Sequence, residues 1–295
     1  MKNKLNRRQA IKNLALGSGA LSLGGFSFAS AQDTESENLE KLKGNVNHSA
    51  CRWCYNDIPL EQFARDSAEL GLKGIDLLKP SEWDTVEKYG LECSMATDDF
   101  ANIEHGFNNP DNHKKLQSAY KPLIDKASEH GIKNVICFSG NKRQLSKAEG
   151  LENCAVGLTP LLKYASDKNV NLVMELLNSK VNHPDYQCDH TKWGAELCEK
   201  MGMDNFKLLY DIYHMQIMEG DVIRTITDNH QYINHYHTGG VPGRHEINDS
   251  QELNYPAIVK AILGTGFNGF IAQEFVPTYN DKIAALKEGV MICDV

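Results

Sequence analysis

The chain has 295 residues, which is long for an average domain and normal for a single α/β barrel. Hydrophobic residues make up 41% and charged residues 24%, a composition that excludes a disordered or fibrous chain and predicts a full apolar core. The formal net charge is −8 and no basic stripe with interleaved aromatic residues occurs, which argues against a nucleic-acid partner.

The first 31 residues are typical of an export signal. The twin-arginine pair Arg7-Arg8 precedes an apolar stretch over residues 14–28, and small residues at 29–31 suit cleavage. The apolar stretch is shorter than the roughly 20 residues that a membrane span needs, so we expect no stable membrane insertion. The sequence therefore predicts a periplasmic protein with three parts: a twin-arginine-type signal peptide (1–31), a polar linker (32–43) and one folded domain (44–295).

Beyond the linker, short apolar runs bounded by glycine, asparagine or lysine alternate with segments of helical spacing. Such runs are typical of buried parallel strands. We predict eight strands, at residues 45–49, 74–78, 92–97, 134–139, 171–177, 207–212, 233–238 and 269–275. Eight strands alternating with helices indicate a closed parallel barrel, so the predicted fold is a single α/β domain of the (β/α)₈ TIM-barrel class.

The segments between the predicted strands carry helix signals. Asn109 followed by Pro110 is a good helix start before the segment 113–130. The segment 255–263 also has helical spacing, and Gly264 fits a helix-terminating glycine.

Eight cysteines in an exported chain would ordinarily suggest disulfides. Cys93 and Cys137, however, lie inside predicted core strands, where a free thiol behaves as a small apolar residue. Cys51 and Cys54 form a C-x-x-C, but no second pair of ligands follows at zinc-finger spacing and no thioredoxin-like helix pattern follows. The pattern favours a structural or pocket-lining role over redox chemistry, and it leaves one disulfide open.

The strongest functional signal lies at the ends of the last four predicted strands. In a parallel barrel, functional groups lie at the C-terminal ends of strands, and here these ends carry Glu175, Asp211, His237 and Glu274. Each acid on its own is equally well explained as a helix N-cap or a salt-bridge partner. Three carboxylates converging on one barrel mouth would repel one another without a cation, so four successive strand ends favour a metal site. One imidazole among carboxylates suits one divalent ion, Mg²⁺ or Mn²⁺ first, with Co²⁺, Fe²⁺ and Zn²⁺ as further candidates.

Long strings in the second half of the chain resemble a known family. Residues 211–221 (DIYHMQIMEGD), 241–246 (VPGRHE) and 273–278 (QEFVPT) are similar to the hydroxypyruvate isomerase group of the xylose-isomerase-like barrels. The resemblance covers residues 44–279 and is strongest from Glu175 onward. It implies one divalent ion held by Glu175, Asp211, His237 and Glu274, an acid/base pair formed by Glu175 and Glu274, and substrate contacts from His214 and Arg244.

One position departs from this group, since hydroxypyruvate isomerases tend to have Gln where this chain has His237, whereas ketose 3-epimerases of the same superfamily have His. The residues also leave other roles open. His214 can instead orient a ligand or be structural, and Arg244 can instead form a loop salt bridge with Glu246. His235 shares the strand face of His237 one layer deeper, which predicts a place in the core or behind the ligands.

The expected chemistry follows from a divalent ion beside two acids. Such an ion acidifies the C–H next to a carbonyl; one carboxylate removes the proton and a second returns it. The sequence therefore predicts an aldose-ketose isomerase acting through an enediolate on a small keto-sugar or hydroxy-keto acid, with hydroxypyruvate isomerase (hydroxypyruvate/tartronate semialdehyde) as the nearest named activity. A ketose 3-epimerase, a lyase acting on keto-sugars or oxidised glycosides and a non-catalytic periplasmic sugar-binding protein stay open, as does a homo-oligomer.

Overall fold

The computed structural model of the protein describes residues 41–295, so the predicted signal peptide and most of the predicted linker lie outside the described residues. Within these residues eight strands form a closed barrel in chain order, and every neighbouring pair is parallel. The strands are β1 (Asn47–Cys51), β2 (Gly74–Leu78), β3 (Glu92–Ala96), β4 (Asn134–Cys137), β5 (Asn171–Glu175), β6 (Phe206–Asp211), β7 (Ile233–Thr238) and β8 (Phe270–Gln273). The predicted (β/α)₈ barrel is confirmed.

Nine α-helices accompany the strands in the described part of the chain. They are α1 (Leu60–Glu69), α2 (Trp83–Glu87), α3 (Pro110–Glu129), α4 (Lys147–Ser166), α5 (Thr191–Met201), α6 (Ile212–Met218), α7 (Val222–Asn229), α8 (Tyr255–Gly264) and α9 (Lys282–Cys293). None of them combines the length and the apolar character that crossing a membrane requires.

Helix ends follow local capping chemistry. The start of α3 agrees with the sequence prediction, since Pro110 is its first residue and the Asn109 side chain accepts a hydrogen bond from the backbone N–H of Asp111. The end of α8 lies one residue beyond the predicted segment 255–263. Gly264 is the last helical residue of α8, and the left-handed turn comes two residues later at Gly266, with φ of 84°.

Several strands begin or end at residues other than those predicted. β2 and β7 have the predicted bounds, whereas β4, β5 and β8 end two residues earlier than predicted. After β4, the backbone N–H of Ser139 donates to the Tyr186 hydroxyl instead of continuing the sheet. β1 begins two residues later than predicted, because Gly44 adopts a left-handed conformation before the chain enters the sheet.

Apolar side chains from strands and helices form one continuous core. All eight cysteines are buried and free, so the structure contains no disulfide. Burial raises the pKa of the Cys51 and Cys54 thiols well above the usual range, which keeps both in the unreactive protonated form. Cys51 at the end of β1 and Cys54 just after it therefore pack as small apolar residues.

Candidate active site

Four consecutive strands place the four predicted ligands at one mouth of the barrel. Glu175 ends β5, Asp211 ends β6, His237 is the penultimate residue of β7 and Glu274 directly follows β8. One nitrogen or oxygen atom from each side chain lies within 4.8 Å of the others. All four side chains are buried, so their charges face one another rather than water.

The two carboxylate oxygens of Asp211 have different neighbours. Its Oδ1 accepts a hydrogen bond of 3.0 Å from the backbone N–H of His214 and thereby caps α6. Its Oδ2 lies 3.2 Å from Arg244 Nη2 and belongs to the ligand cluster. The helix-cap role that the sequence left open is thus present, and it occupies one oxygen only. Burial raises the pKa of this carboxyl group.

His237 presents its two ring nitrogens to different surroundings. Nε2 lies 2.8 Å from Asp76 Oδ2, within hydrogen-bond distance. Nδ1 lies 3.3 Å from Glu175 Oε1 and 2.7 Å from Glu274 Oε2, yet it has no hydrogen-bond partner. A buried nitrogen facing carboxylates, which can only accept hydrogen bonds when ionised, is a donor set that fits a divalent cation.

Arg244 lies against the cluster and not against its sequence neighbour. Its Nη2 lies 2.5 Å from Glu274 Oε2, and its guanidinium carbon is 5.2 Å from the Trp53 ring and 5.3 Å from the Tyr213 ring. The alternative of a salt bridge with Glu246 is wrong, because Glu246 accepts hydrogen bonds from the backbone and the hydroxyl group of Thr278.

One ring nitrogen of His214 accepts a hydrogen bond, and the other makes none. Asn178 Nδ2 donates to His214 Nδ1 at 2.6 Å, which places the imidazole hydrogen on Nε2. Nε2 makes no hydrogen bond, and the residue lines the cavity above the cluster. Burial lowers the pKa of His214 well below its usual range, so the ring is neutral and offers one N–H donor to the cavity.

Glu175 and Glu274 lie on either side of His237 but differ electrostatically. Burial raises the pKa of Glu175. Burial also opposes ionisation of Glu274, but the neighbouring Arg244 and His237 outweigh it and hold its pKa well below the usual range. Trp53 Nε1 additionally donates a 2.7 Å hydrogen bond to Glu274 Oε1. Two neighbouring acids with opposed proton affinities are suited to acid and base roles.

A cavity of about 760 Å³ opens above these residues. Part of its wall is apolar and comes from the first half of the barrel: Leu77, Ala101, Ile103, Ile136 and Phe138. In the described part of the chain, every cationic residue that lines it has a carboxylate partner within 4.0 Å: Arg52 with Glu82, Lys79 with Asp99, and Arg244 with Glu274.

Sequence reasoning missed four residues of this site: Asp76, Trp53, Asn178 and His183, whose ring packs edge-on against His214. Asp76 carries a signal that could have found it, since it is a carboxylate inside the apolar run of β2, as Glu175 is in β5. Trp53 lies inside the C-x-x-C segment, for which a pocket-lining role was one prediction. His235 packs behind His237, with ring centres 5.3 Å apart, as its spacing predicts.

A family model and several known proteins match this chain. A family model described as xylose isomerase-like TIM barrel matches residues 65–291. The chain is 27% identical over 240 residues to hydroxypyruvate isomerase of Escherichia coli (strain K12), covering 72% of this chain and 85% of that protein. It is 33% identical over 233 residues to 2-oxo-tetronate isomerase of Cupriavidus necator, covering 74% of this chain and 87% of that protein.

Among solved structures, 3-keto-D-glucoside 4-epimerase from E. coli has the same fold, with a TM-score of 0.70 at 15% identity over 83% of this chain and 98% of that one. The family model covers more than half of the chain, and two isomerases match it over most of their length. The chain therefore belongs to the xylose isomerase-like TIM barrel family.

Proposed function

We propose that the protein is a metal-dependent aldose-ketose isomerase that moves a proton between adjacent carbons of a small hydroxy-keto compound, with hydroxypyruvate as the first substrate to test. The observation that carries the proposal is the buried meeting of three carboxylates and one unpartnered imidazole nitrogen within 4.8 Å. The names of the two curated relatives support isomerase activity for this chain.

Glu175, Asp211, His237 and Glu274 would hold the ion. When bound, the ion supplies Lewis-acid polarisation of the carbonyl and hydroxyl oxygens of the substrate. The buried, water-poor setting of the four side chains strengthens this electrostatic effect.

Glu175 and Glu274 carry the proton transfer in this proposal. Their oxygens lie 3.3 Å and 2.7 Å from the same His237 nitrogen, so both face one small region from different strands. One carboxylate removes the proton beside the carbonyl, which gives an enediolate, and the other protonates the former carbonyl carbon. The proton of the substrate hydroxyl group passes to the former carbonyl oxygen, so that the carbonyl and hydroxyl groups exchange places. The free Nε2–H of His214 and the Arg244 guanidinium donate hydrogen bonds to substrate oxygens.

The test is solvent exchange. Protein stripped with a chelator and reloaded with Mg²⁺ or Mn²⁺ is incubated with hydroxypyruvate or a ketose in D₂O. We expect deuterium at the carbon next to the carbonyl with the metal present, and none after chelation. Mn²⁺ at 100 times its Kd should also stabilise the fold by about 2.7 kcal/mol. Metal binding without exchange into any keto compound would contradict the isomerase and leave a binding protein.

A ketose 3-epimerase is a second candidate, favoured by the charges around the cavity. A keto acid brings a carboxylate, but each lining cation in the described residues already has a carboxylate partner. The cavity volume also far exceeds that of a three-carbon acid. Product analysis distinguishes the reactions: an isomerase converts a ketose to an aldose, an epimerase inverts one hydroxyl group, and a lyase releases two fragments.

The twin-arginine segment supports periplasmic action for either reaction, which cell fractionation checks.

A further inference from the structure

A buried polar cluster lies behind His237, on the side away from Glu175 and Glu274. Its centre is Asp76 on β2, whose side chain is fully buried. Asp76 Oδ2 accepts a 2.8 Å hydrogen bond from His237 Nε2. Asp76 Oδ1 accepts a 2.5 Å hydrogen bond from Ser94 on β3 and lies 3.0 Å from Nε2 of His235 on β7.

A buried aspartate in the barrel interior is costly for folding. Its chain neighbours Ile75 and Leu77 are apolar, and burying a carboxylate costs several kcal/mol unless hydrogen bonds compensate. The polar groups that face Asp76 are two imidazoles, the Ser94 hydroxyl and, at 3.5 Å, the Cys51 thiol, and the His235 nitrogen nearest to it makes no hydrogen bond. The interior is thus built to keep an ionised carboxylate next to one particular nitrogen of His237.

The two oxygens of Asp76 divide their contacts. Ser94 binds Oδ1 and is itself within 2.9 Å of the Ser49 hydroxyl, so this side of the carboxylate is fixed from β1 and β3. Oδ2 faces His237 Nε2 at 2.8 Å and the Cys51 thiol at 3.5 Å. These contacts hold the carboxylate in one orientation, and this orientation sets the position of the His237 ring.

We propose that Asp76 is a positioning residue that holds His237 in the tautomer with hydrogen on Nε2, so that Nδ1 presents a lone pair to the metal. This inference rests on the proposed function, because it takes His237 as a ligand. A neutral imidazole has one donor and one acceptor nitrogen, so a hydrogen fixed on Nε2 leaves Nδ1 as the acceptor. A carboxylate hydrogen-bonded behind a ligating histidine also raises the basicity of the ligating nitrogen.

The first test measures Mn²⁺ affinity by calorimetry on full-length protein. Asp76→Asn keeps the size of the side chain and removes its charge, and we expect Mn²⁺ binding to weaken about 10- to 100-fold. His237→Gln provides the matched background: without an imidazole there is nothing to position, so adding Asp76→Asn should leave the affinity of His237→Gln unchanged. The same loss in both backgrounds would mean a merely structural role and would overturn the inference.

The second test needs no variant and so stays informative if Asp76→Asn does not fold. Long-range ¹H–¹⁵N spectra of the Mg²⁺-loaded protein, with the His237 signals assigned from His237→Gln, should show the hydrogen on Nε2. A hydrogen on Nδ1 would overturn the inference. Failure of the metal site gives a different result, since wild-type protein would then bind no Mn²⁺ and both ideas would fall together, whereas Mn²⁺ binding without exchange would remove the isomerase alone.

Discussion

The two halves of the barrel end differently at the mouth that holds the site. The later strands, β5 to β8, end in or beside the candidate ligands Glu175, Asp211, His237 and Glu274. The earlier strands, β1 to β4, end in Cys51, Leu78, Ala96 and Cys137. The first half also supplies most of the apolar wall of the cavity. Asp76 is the exception in the first half, and its contacts run to His237 in the second.

The two halves of the barrel therefore have different roles in the site. The second half concentrates the ionisable groups, where mutual repulsion is balanced only by partners or a cation. The first half provides most of the apolar wall of the cavity, and its charged lining residues Arg52, Lys79 and Glu82 lie outside the ligand cluster. Substitutions in the second half should therefore act on the chemical step, and those in the first half on substrate affinity or fold stability.

The largest expected effect comes from the acids of the second half. Glu175→Gln and Glu274→Gln each remove a proton-transfer group without changing its size, so kcat should fall about 10²- to 10⁴-fold. Steady-state kinetics with the active substrate checks this. Glu82→Gln is the matched control, since Glu82 lines the cavity outside the ligand cluster and should leave kcat near wild type. Wild-type rates in both Glu175 and Glu274 variants would remove the proposed chemistry.

The next effect concerns stability in the first half. His48 on β1 is buried 3.8 Å from Asp294, and burial, which outweighs the opposing effect of Asp294, lowers its pKa from 6.5 to about 4. Between these pH values, His48 therefore binds a proton in the unfolded chain but not in the folded protein. Stability should fall by an amount on the order of 3 kcal/mol as pH drops from 6.5 to 4, with no further loss below.

Denaturant titrations at several pH values check this for wild type and for His48→Gln, which lacks the titrating group and should lose that much less stability on acidification. His230→Gln changes an exposed histidine and serves as the control. Equal acid sensitivity of His48→Gln and wild type would show that His48 does not contribute.

The smallest expected effect comes from the apolar wall. Ile103 is partly buried against the core and lines the cavity away from the acids. Ile103→Ala removes apolar contact surface, so KM should rise up to about tenfold while kcat changes little. Val156→Ala, at a site 59% exposed, is the control. A loss of kcat as large as that of the Glu variants would contradict the division between the halves.

The parts of the fold that could be predicted are those that depend on the local sequence pattern. β2 and β7 are short apolar or alternating runs between clear boundaries, and their predicted bounds agree with the structure. Glu175 and Asp211 stand out because each ends such a run. Because all strands of a parallel barrel point the same way, these local positions were enough to place four side chains at one mouth.

What escaped prediction depends on contacts between distant parts of the chain. Asp76 and His237 are 161 residues apart and meet only because the barrel closes. For Arg244 the nearby Glu246 was an attractive partner, but the loop turns through a positive φ of 62° at Arg244, and the two side chains bind different partners. A single sequence contains the residue types for these contacts but not the geometry that joins them.

The shared carboxylate of Asp211 links the ligand cluster mechanically to a helix. Because Oδ1 caps the first turn of α6, a cation would meet Oδ2, which also accepts a hydrogen bond from Arg244 Nη2. Rotation into two-oxygen ligation would break the cap at a cost of about 1 kcal/mol. The same turn carries Tyr213 against Arg244 and His214 above the cavity. Any shift of Asp211 on ligand binding is therefore passed directly to Tyr213, which contacts Arg244, and to His214, which lines the cavity.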